Sequence, residues 1–215
     1  GGDGIQRMLV KNFEGFATNS GFIIPSETAE PYMGFRSGRR IRFTQEDLDV
    51  LRENVPEAKV VSGVVAMWAN SAVYEDRSTD CNAKGVSAEY SRIEAPAMKY
   101  GRYINSVDVE QDRRVCVIGK KIYEALFPDG GDPCGSFIKV SGIYFQVVGV
   151  DVHSSAVSIN GRSEEAVTIP ISTIQKIFSR GNTVDFFAIV AQPGVKIKEV
   201  IEKSTAILET RHYIK

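Results

Sequence analysis

The sequence predicts an α+β fold in which a β-rich middle block is inserted between two halves of a second, mixed unit. Three observations carry that prediction. Each end of the chain reads strand, helix, strand. The helix at each end has a narrow apolar stripe, suited to one face of a sheet. Between about Ser91 and Gly181 the texture changes to short valine- and isoleucine-rich strands, broken by glycines and joined by short helices.

At the N-terminal end, Phe22-Ile23-Ile24 is an apolar run stopped by Pro25 and predicts a strand. A polar connection carrying Pro31, Gly34 and Gly38 leads to Thr44-Gln45-Glu46-Asp47. There the Thr44 hydroxyl can accept the Asp47 amide while the Asp47 carboxylate reaches back, which is a capping box. Phe43 and Leu48 stand where a hydrophobic staple requires them, Leu48, Leu51 and Val55 share one helical face, and Pro56 stops the helix. Residues 60–69 predict a valine-rich strand with a bulge near Ser62-Gly63, and residues 72–75 and 82–90 predict two more strands.

In the middle block, residues 114–118 predict a strand, 120–127 a short helix ended by Pro128, and 129–132 a glycine loop. Ser141-Gly142, set between apolar runs at 137–140 and 143–150, predicts a two-residue hairpin. Residues 166–169 add a strand, and Ser172-Thr173-Ile174-Gln175 has the form of a second capping box, opening a helix that ends at Gly181. At the far end, 186–191 predict a strand, Pro193-Gly194 a turn, and 197–210 a helix. Its Ile197, Val200, Ile201, Ser204, Ile207 and Leu208 form one stripe, and 211–215 predict the start of another strand.

Composition excludes several function classes. The 215 residues carry 26 Lys+Arg against 27 Asp+Glu, a formal charge of −1, which argues against a life on nucleic-acid phosphates or anionic lipid. At 43% hydrophobic and 25% charged, the chain can build a core and is not disordered. The longest apolar stretches, 64–69 and 186–191, are six residues each, against about 20 for a membrane span, so this piece is not expected to cross a bilayer. The opening Gly1-Gly2-Asp3-Gly4 has neither an initiator Met nor a basic-then-apolar leader, which predicts a processed or excised piece. Cys81, Cys116 and Cys134 lack CxxC spacing and encode no zinc site; they read as half-buried thiols, with one bridge open to any two of them.

Each chemical constellation competes with a plainer reading. Asp108, Glu110 and Asp112 have the 1-3-5 spacing of a calcium loop, but position 6 is Arg113 and position 12 is Gly119, so a solvated acidic turn is expected instead. Asp151, His153 and Ser154 are the residue types of a hydrolase triad, yet neighbours on an extended chain alternate faces and are not expected to converge. Gly130, Gly131 and Gly135 lack the Gly-Lys-Ser/Thr of a phosphate loop, and no cofactor is expected. Arg36, Arg39, Arg40 and Arg42 form the one basic cluster, a candidate partner-docking loop if it does not simply pair with acidic neighbours. No catalytic residue and no metal ligand is assigned.

An ordered set of residues is more specific than any of these. Gly85-Val86-Ser87-Ala88-Glu89-Tyr90, Gly101-Arg102, Asp108, Val115-Cys116-Val117-Ile118-Gly119, Leu126-Phe127, Gly135 with Ile138, and Phe145-Gln146-Val147-Val148-Gly149-Val150 follow one another along the chain. This succession resembles the extracytoplasmic core domain of MacB/FtsX-like ABC-transporter permeases, over roughly residues 20 to 215. The resemblance implies a discontinuous, ferredoxin-like porter lobe at 1–92 plus 183–215, and an inserted, mostly β, sabre-like lobe at 93–182. It also implies termini that lie close together, because both lead to the same membrane.

What the resemblance implies about function is mechanical. The domain would face the periplasm, or the outside of a Gram-positive cell, on an inner-membrane permease driven by a cytoplasmic ATPase, and would pass transmembrane motion to a substrate or partner. The implied partners are a second permease copy and an adaptor (membrane-fusion) protein or a lipoprotein or peptide substrate, with no nucleic acid. A lipoprotein-releasing permease is the alternative within the family, and a small hydrolase using Asp151, His153 and Ser154 is the alternative outside it.

Overall fold

The computed structural model describes residues 4–10, 16–25, 41–155 and 161–212. The chain opens with β1 (Ile5–Val10), β2 (Ser20–Pro25), β3 (Phe43–Thr44), α1 (Gln45–Asn54), β4 (Ala58–Tyr74) and β5 (Arg77–Val86). A 3-10 turn (Ala88–Arg92) precedes β6 (Met98–Gly101), α2 (Ser106–Glu110), β7 (Val115–Gly119), α3 (Lys120–Leu126), β8 (Phe137–Val140) and β9 (Ile143–Asp151). After a second 3-10 turn (Ser163–Glu165) come β10 (Ala166–Pro170), α4 (Ile171–Ile177), β11 (Thr183–Val184), β12 (Phe186–Ala191) and α5 (Ile197–Arg211).

The described chain divides into two compact units, with seams between Val64 and Val65 and between Gly181 and Asn182. The return lies one residue from the expected 182/183, but the first seam does not fall at 92. The reason is β4, which joins the strands expected at 60–69 and 72–75 into one of 17 residues. Its first part pairs with β12 and its second with β5, so a single strand serves both units. The strand expected at 82–90 likewise ends at Val86 and gives way to the 3-10 turn.

In the first unit four strands run β1-β2-β12-β4, every neighbouring pair antiparallel, and β3 pairs with β11. Leu48 and Leu51 of α1 and Val200, Ile201 and Leu208 of α5 share one buried cluster with Phe43, Val61, Phe187 and Ile189. Both helical stripes therefore pack on one sheet. Gly21 of β2 allows the close approach of α5, because a Cβ there would stand 3.2 Å from the Ile201 side chain and 2.9 Å from the Met8 carbonyl.

The Thr44 capping box forms, with Asp47 N–H donating to Thr44 Oγ1 at 3.3 Å and Thr44 N–H donating to Asp47 Oδ2 at 2.9 Å. The same carboxylate takes Arg211 Nε at 2.7 Å and lies 2.9 Å from His212 Nε2, fixing the last turn of α5 to the first turn of α1. Arg211 belongs to α5 and not to a strand; 213–215 lie outside the described residues. Arg7 of β1 and Glu209 of α5 form an ion pair at 3.4 Å, so the described chain ends meet at one place in this unit.

The second unit is a closed ring of six strands. Around it, β4 pairs with β5, β5 with β10, β10 with β7, β7 with β9, β9 with β8, and β8 with β4. Closure of this kind removes open sheet edges. Alternate residues of the strands form a continuous core, among them Val65, Ala83, Cys116, Ile118, Phe145, Val147, Val167 and Ile169, joined by Leu126 of α3 and Ile174 of α4. The Ser141-Gly142 hairpin has φ of 48° and 85°, the doubly positive geometry of a type I′ turn.

Two local expectations in this unit are corrected. The box at Ser172–Gln175 does not form, because β10 runs through Pro170 and the helix begins at once at Ile171; Ser172 Oγ instead donates to the Val109 carbonyl at 2.6 Å. A capping box does form at Asn105, whose side chain accepts Asp108 N–H at 2.9 Å while Asp108 Oδ2 accepts Asn105 N–H at 3.0 Å.

Candidate functional site

The densest polar chemistry in the described structure is a buried cluster in the second unit. It arises because β6 pairs with the end of β9, bringing Met98 opposite Asp151 and the preceding Ala97 beside it. Asp151 Oδ1 accepts the Ala97 amide at 2.9 Å and the His153 amide at 3.0 Å. That second bond makes an Asx turn, which folds the chain back just as it leaves β9.

The turn corrects in part the expectation that Asp151, His153 and Ser154 do not converge, because it brings the first two together. His153 Nδ1 lies 2.7 Å from Asp151 Oδ2, and its Nε2 lies 2.7 Å from Glu94 Oε2. Glu94 also accepts Tyr90 Oη at 2.9 Å, Ser163 Oγ at 2.5 Å and Lys84 Nζ at 3.4 Å. Ser154 does not join them; its hydroxyl donates to Glu164 at 2.8 Å. Both ring nitrogens of His153 face carboxylates, so the trio lacks the serine–histidine bond that hydrolytic chemistry requires.

The electrostatics follow from the contacts. Burial alone would raise the Glu94 pKa, but the Lys84 charge and the bonds from His153 and Ser163 outweigh it and hold the carboxyl far below its usual range. Burial would likewise lower the His153 pKa, yet the bonds and charges of Asp151 and Glu94 lift it to about 9. Tyr90 and Tyr103 are pushed well above the usual phenol range by burial and by the Glu94 charge. Lys84 and a protonated His153 thus balance two carboxylates in a largely buried site. Lys84, Glu94 and Ser163 were not singled out in the sequence; the one local signal is the four-residue spacing of Tyr90 and Glu94 across the 3-10 turn.

The remaining sequence candidates scatter. Asp108 is fully buried, not a solvated turn, and accepts Arg102 at 2.7 and 3.1 Å, with Arg113 at 3.6 Å. Asp112 pairs with Lys176, and Glu110 is exposed. Arg42 is exposed, while Arg36, Arg39 and Arg40 lie outside the described residues. Gly130, Gly131 and Gly135 all have positive φ, and Tyr123 Oη donates to the Gly131 carbonyl at 2.7 Å. All three cysteines are free. Burial raises the Cys81 thiol to about 12 and the Cys134 thiol to about 11, and Cys116 is fully buried, so none is a thiolate at neutral pH.

The residues that carried the family resemblance have structural tasks here. Arg102, partly exposed, pairs with the buried carboxylate of Asp108, and Tyr90 donates to Glu94. A Cβ on Gly149 would stand 2.2 Å from the Arg102 carbonyl, and one on Gly119 2.4 Å from the Ser163 carbonyl. The profile of the MacB-like periplasmic core domain family matches residues 2–207.

The chain belongs to that family. Among curated MacB relatives, the macrolide export ATP-binding/permease protein MacB of Bdellovibrio bacteriovorus is 24% identical over 83% of this chain and 27% of its own length. The pyoverdine export ATP-binding/permease protein PvdT of Pseudomonas syringae pv. syringae is 23% identical over 99% of this chain and 31% of its own. The chain therefore spans about a quarter to a third of these relatives. The periplasmic region of MacB from Actinobacillus actinomycetemcomitans superposes with a TM-score of 0.75, at 20% identity over 94% of this chain and 88% of that one. The extracellular domain of the noncanonic ABC-type transporter YknZ from Gram-positive bacteria gives 0.68, at 22% identity over 81% and 86%. The mixed α/β fold is that of MacB periplasmic domains, and no described helix is long and apolar enough to cross a membrane.

Proposed function

We propose that this is the extracytoplasmic domain of a MacB-like permease and that it transmits ATP-driven transmembrane motion to substrates or partner proteins outside the inner membrane. In this reading the first unit acts as a ferredoxin-like porter lobe, which the strand order β1-β2-β12-β4 with α1 and α5 on one buried cluster supports. The six-stranded ring of the second unit acts as the sabre. The observation that carries the reading is the meeting of β1 and the last turn of α5 through Arg7–Glu209, beside which Asp47 of α1 holds Arg211, so that one packed group of elements can receive motion from both described ends. The domain itself carries out no catalysis in this reading. Its partners are a second permease copy, the cytoplasmic ATPase through the membrane part, and an adaptor protein or a lipoprotein or peptide substrate. Trp68, Phe137 and Tyr144, each about 60% exposed, supply apolar contact surface for such a partner.

The test is made in the full-length protein. In a Cys134→Ser background, Glu202→Cys on the exposed face of α5 should label in intact cells with a membrane-impermeant maleimide. Replacing the domain by a short linker should leave ATP hydrolysis measurable and abolish export. Labelling that requires a lysed inner membrane, or export that survives the replacement, would contradict the proposal.

A further inference from the structure

Both ring nitrogens of His153 lie 2.7 Å from carboxylate oxygens, Nδ1 from Asp151 and Nε2 from Glu94. A neutral imidazole carries one N–H and presents a lone pair at the other nitrogen. Only the doubly protonated ring can donate to both carboxylates. With one proton gone, a lone pair would face the buried Glu94 oxygen, and the cluster would hold one cation against two anions. Buried polar networks of this kind are costly when partly satisfied.

We propose that His153 is a proton-operated latch: its imidazolium fastens the segments at Glu94–Ala97, at the end of β9 and at Ser163 into one cluster, and loss of one ring proton releases them. The ties beyond the ring support this. Asp151 holds the Ala97 amide, and Ser163 donates to the same Glu94 oxygen that faces His153. The ionisable groups around the ring come from every packed element: Lys84 from β5, Tyr90 and Glu94 from the first 3-10 turn and the residues after it, Tyr103 after β6, Asp151 from β9, and Glu164 and Glu165 from the second 3-10 turn. Both tyrosines titrate well above the usual phenol range. Lys121 at the rim pairs with Glu164 and Glu165, leaving those two outside the cluster.

The sign of the pH effect follows. The folded pKa of His153, about 9, lies above the unfolded value near 6.5, so the stabilisation is complete below about 6.5 and is lost as pH rises through 9. The extracytoplasmic placement proposed above would expose this group to the pH of the medium, and only that use of the latch rests on the placement; the titration itself does not.

The experiment is an NMR titration of the whole 215-residue chain with ring-labelled histidine. Of its two histidines, His153 is identified by the signal missing from His153→Gln. Both His153 nitrogens should be protonated at pH 7, with a midpoint near 9. The gap in urea midpoint between wild type and His153→Gln should be widest below pH 6.5 and close by pH 9.5. A ring that titrates near 6.5 would overturn the latch, as would a gap that does not change with pH. Because the wild-type titration needs no variant beyond the assignment, a poorly folding His153→Gln still leaves the midpoint decisive.

Discussion

At the scale of single residues, stability rests on a few carboxylates whose partners can be named. Thr44→Ala removes one half of the α1 capping box and should lower stability by about 0.5–2 kcal/mol in urea denaturation. An unchanged midpoint would show that the cap contributes nothing. Asp108 is a second case. Burial would raise its pKa, but the Arg102 bonds and the Asn105 amide outweigh burial and hold it below the usual value. Its folded pKa is depressed, so its contribution is present above the unfolded value near 3.9 and is lost as pH falls through the folded one. Because the Arg102 side chain is 41% exposed and partly screened by solvent, Arg102→Met should cost about 1 kcal/mol at pH 7, and the loss should shrink in acid as the carboxylate protonates. Equal losses at pH 7 and pH 2 would remove the ion pair from the account. In the opposite direction, the Thr205 hydroxyl on α5 is buried without a hydrogen-bond partner among the described residues. Thr205→Val keeps the shape and should raise stability by about 1 kcal/mol, read in the same denaturation.

At the scale of elements, what could be read from the sequence was local and what could not was not. The Thr44 helix start, the Ser141-Gly142 turn and the stripe of α5 depend on neighbours a few residues apart, and each stands where the residues put it. Asn105–Asp108 has the same local form, but Asp108 also fits a metal-loop spacing with Glu110 and Asp112, so the two patterns overlap on one residue. Ser172–Gln175 fails for the converse reason: the preceding strand continues through Pro170 and occupies the place of the cap. The Asp151–His153 contact depends on an Asx turn at the end of a strand, and Glu94 and Ser163 arrive from 59 and 10 residues away in sequence. No spacing rule brings those together. The glycines of the family pattern are explained only by what stands opposite them. Gly149→Ala would drive a Cβ to 2.2 Å from the Arg102 carbonyl, so the strand must shift. A cost of about 1–3 kcal/mol is expected from the melting temperature, with loss of the β6–β9 amides' protection in hydrogen exchange.

At the scale of the whole molecule, the mixed α/β character was legible, because helical stripes and valine- and isoleucine-rich runs alternate along the chain. The first seam was not, since β4 has the same valine-rich texture on both sides of Val64. Closure of the six-stranded ring was also beyond reach, because it depends on the β8–β4 pairing, which links strands some 67 residues apart. The isolated chain should be a monomer of 23.7 kDa by light scattering at micromolar concentration. In the proposed transporter the membrane part would hold two copies at high effective concentration, so a weak contact would be enough and would let the pair open and close. A dimer stable at nanomolar concentration would mean that the domain drives assembly. The most direct test of transmission is a distance measured across that pair. In the full-length protein in lipid, spin labels at Glu202→Cys on both copies should give a separation distribution that shifts by several ångströms or more when ATP binding is trapped, and that returns after release. A distribution identical in the two states would contradict the claim that this domain carries the motion.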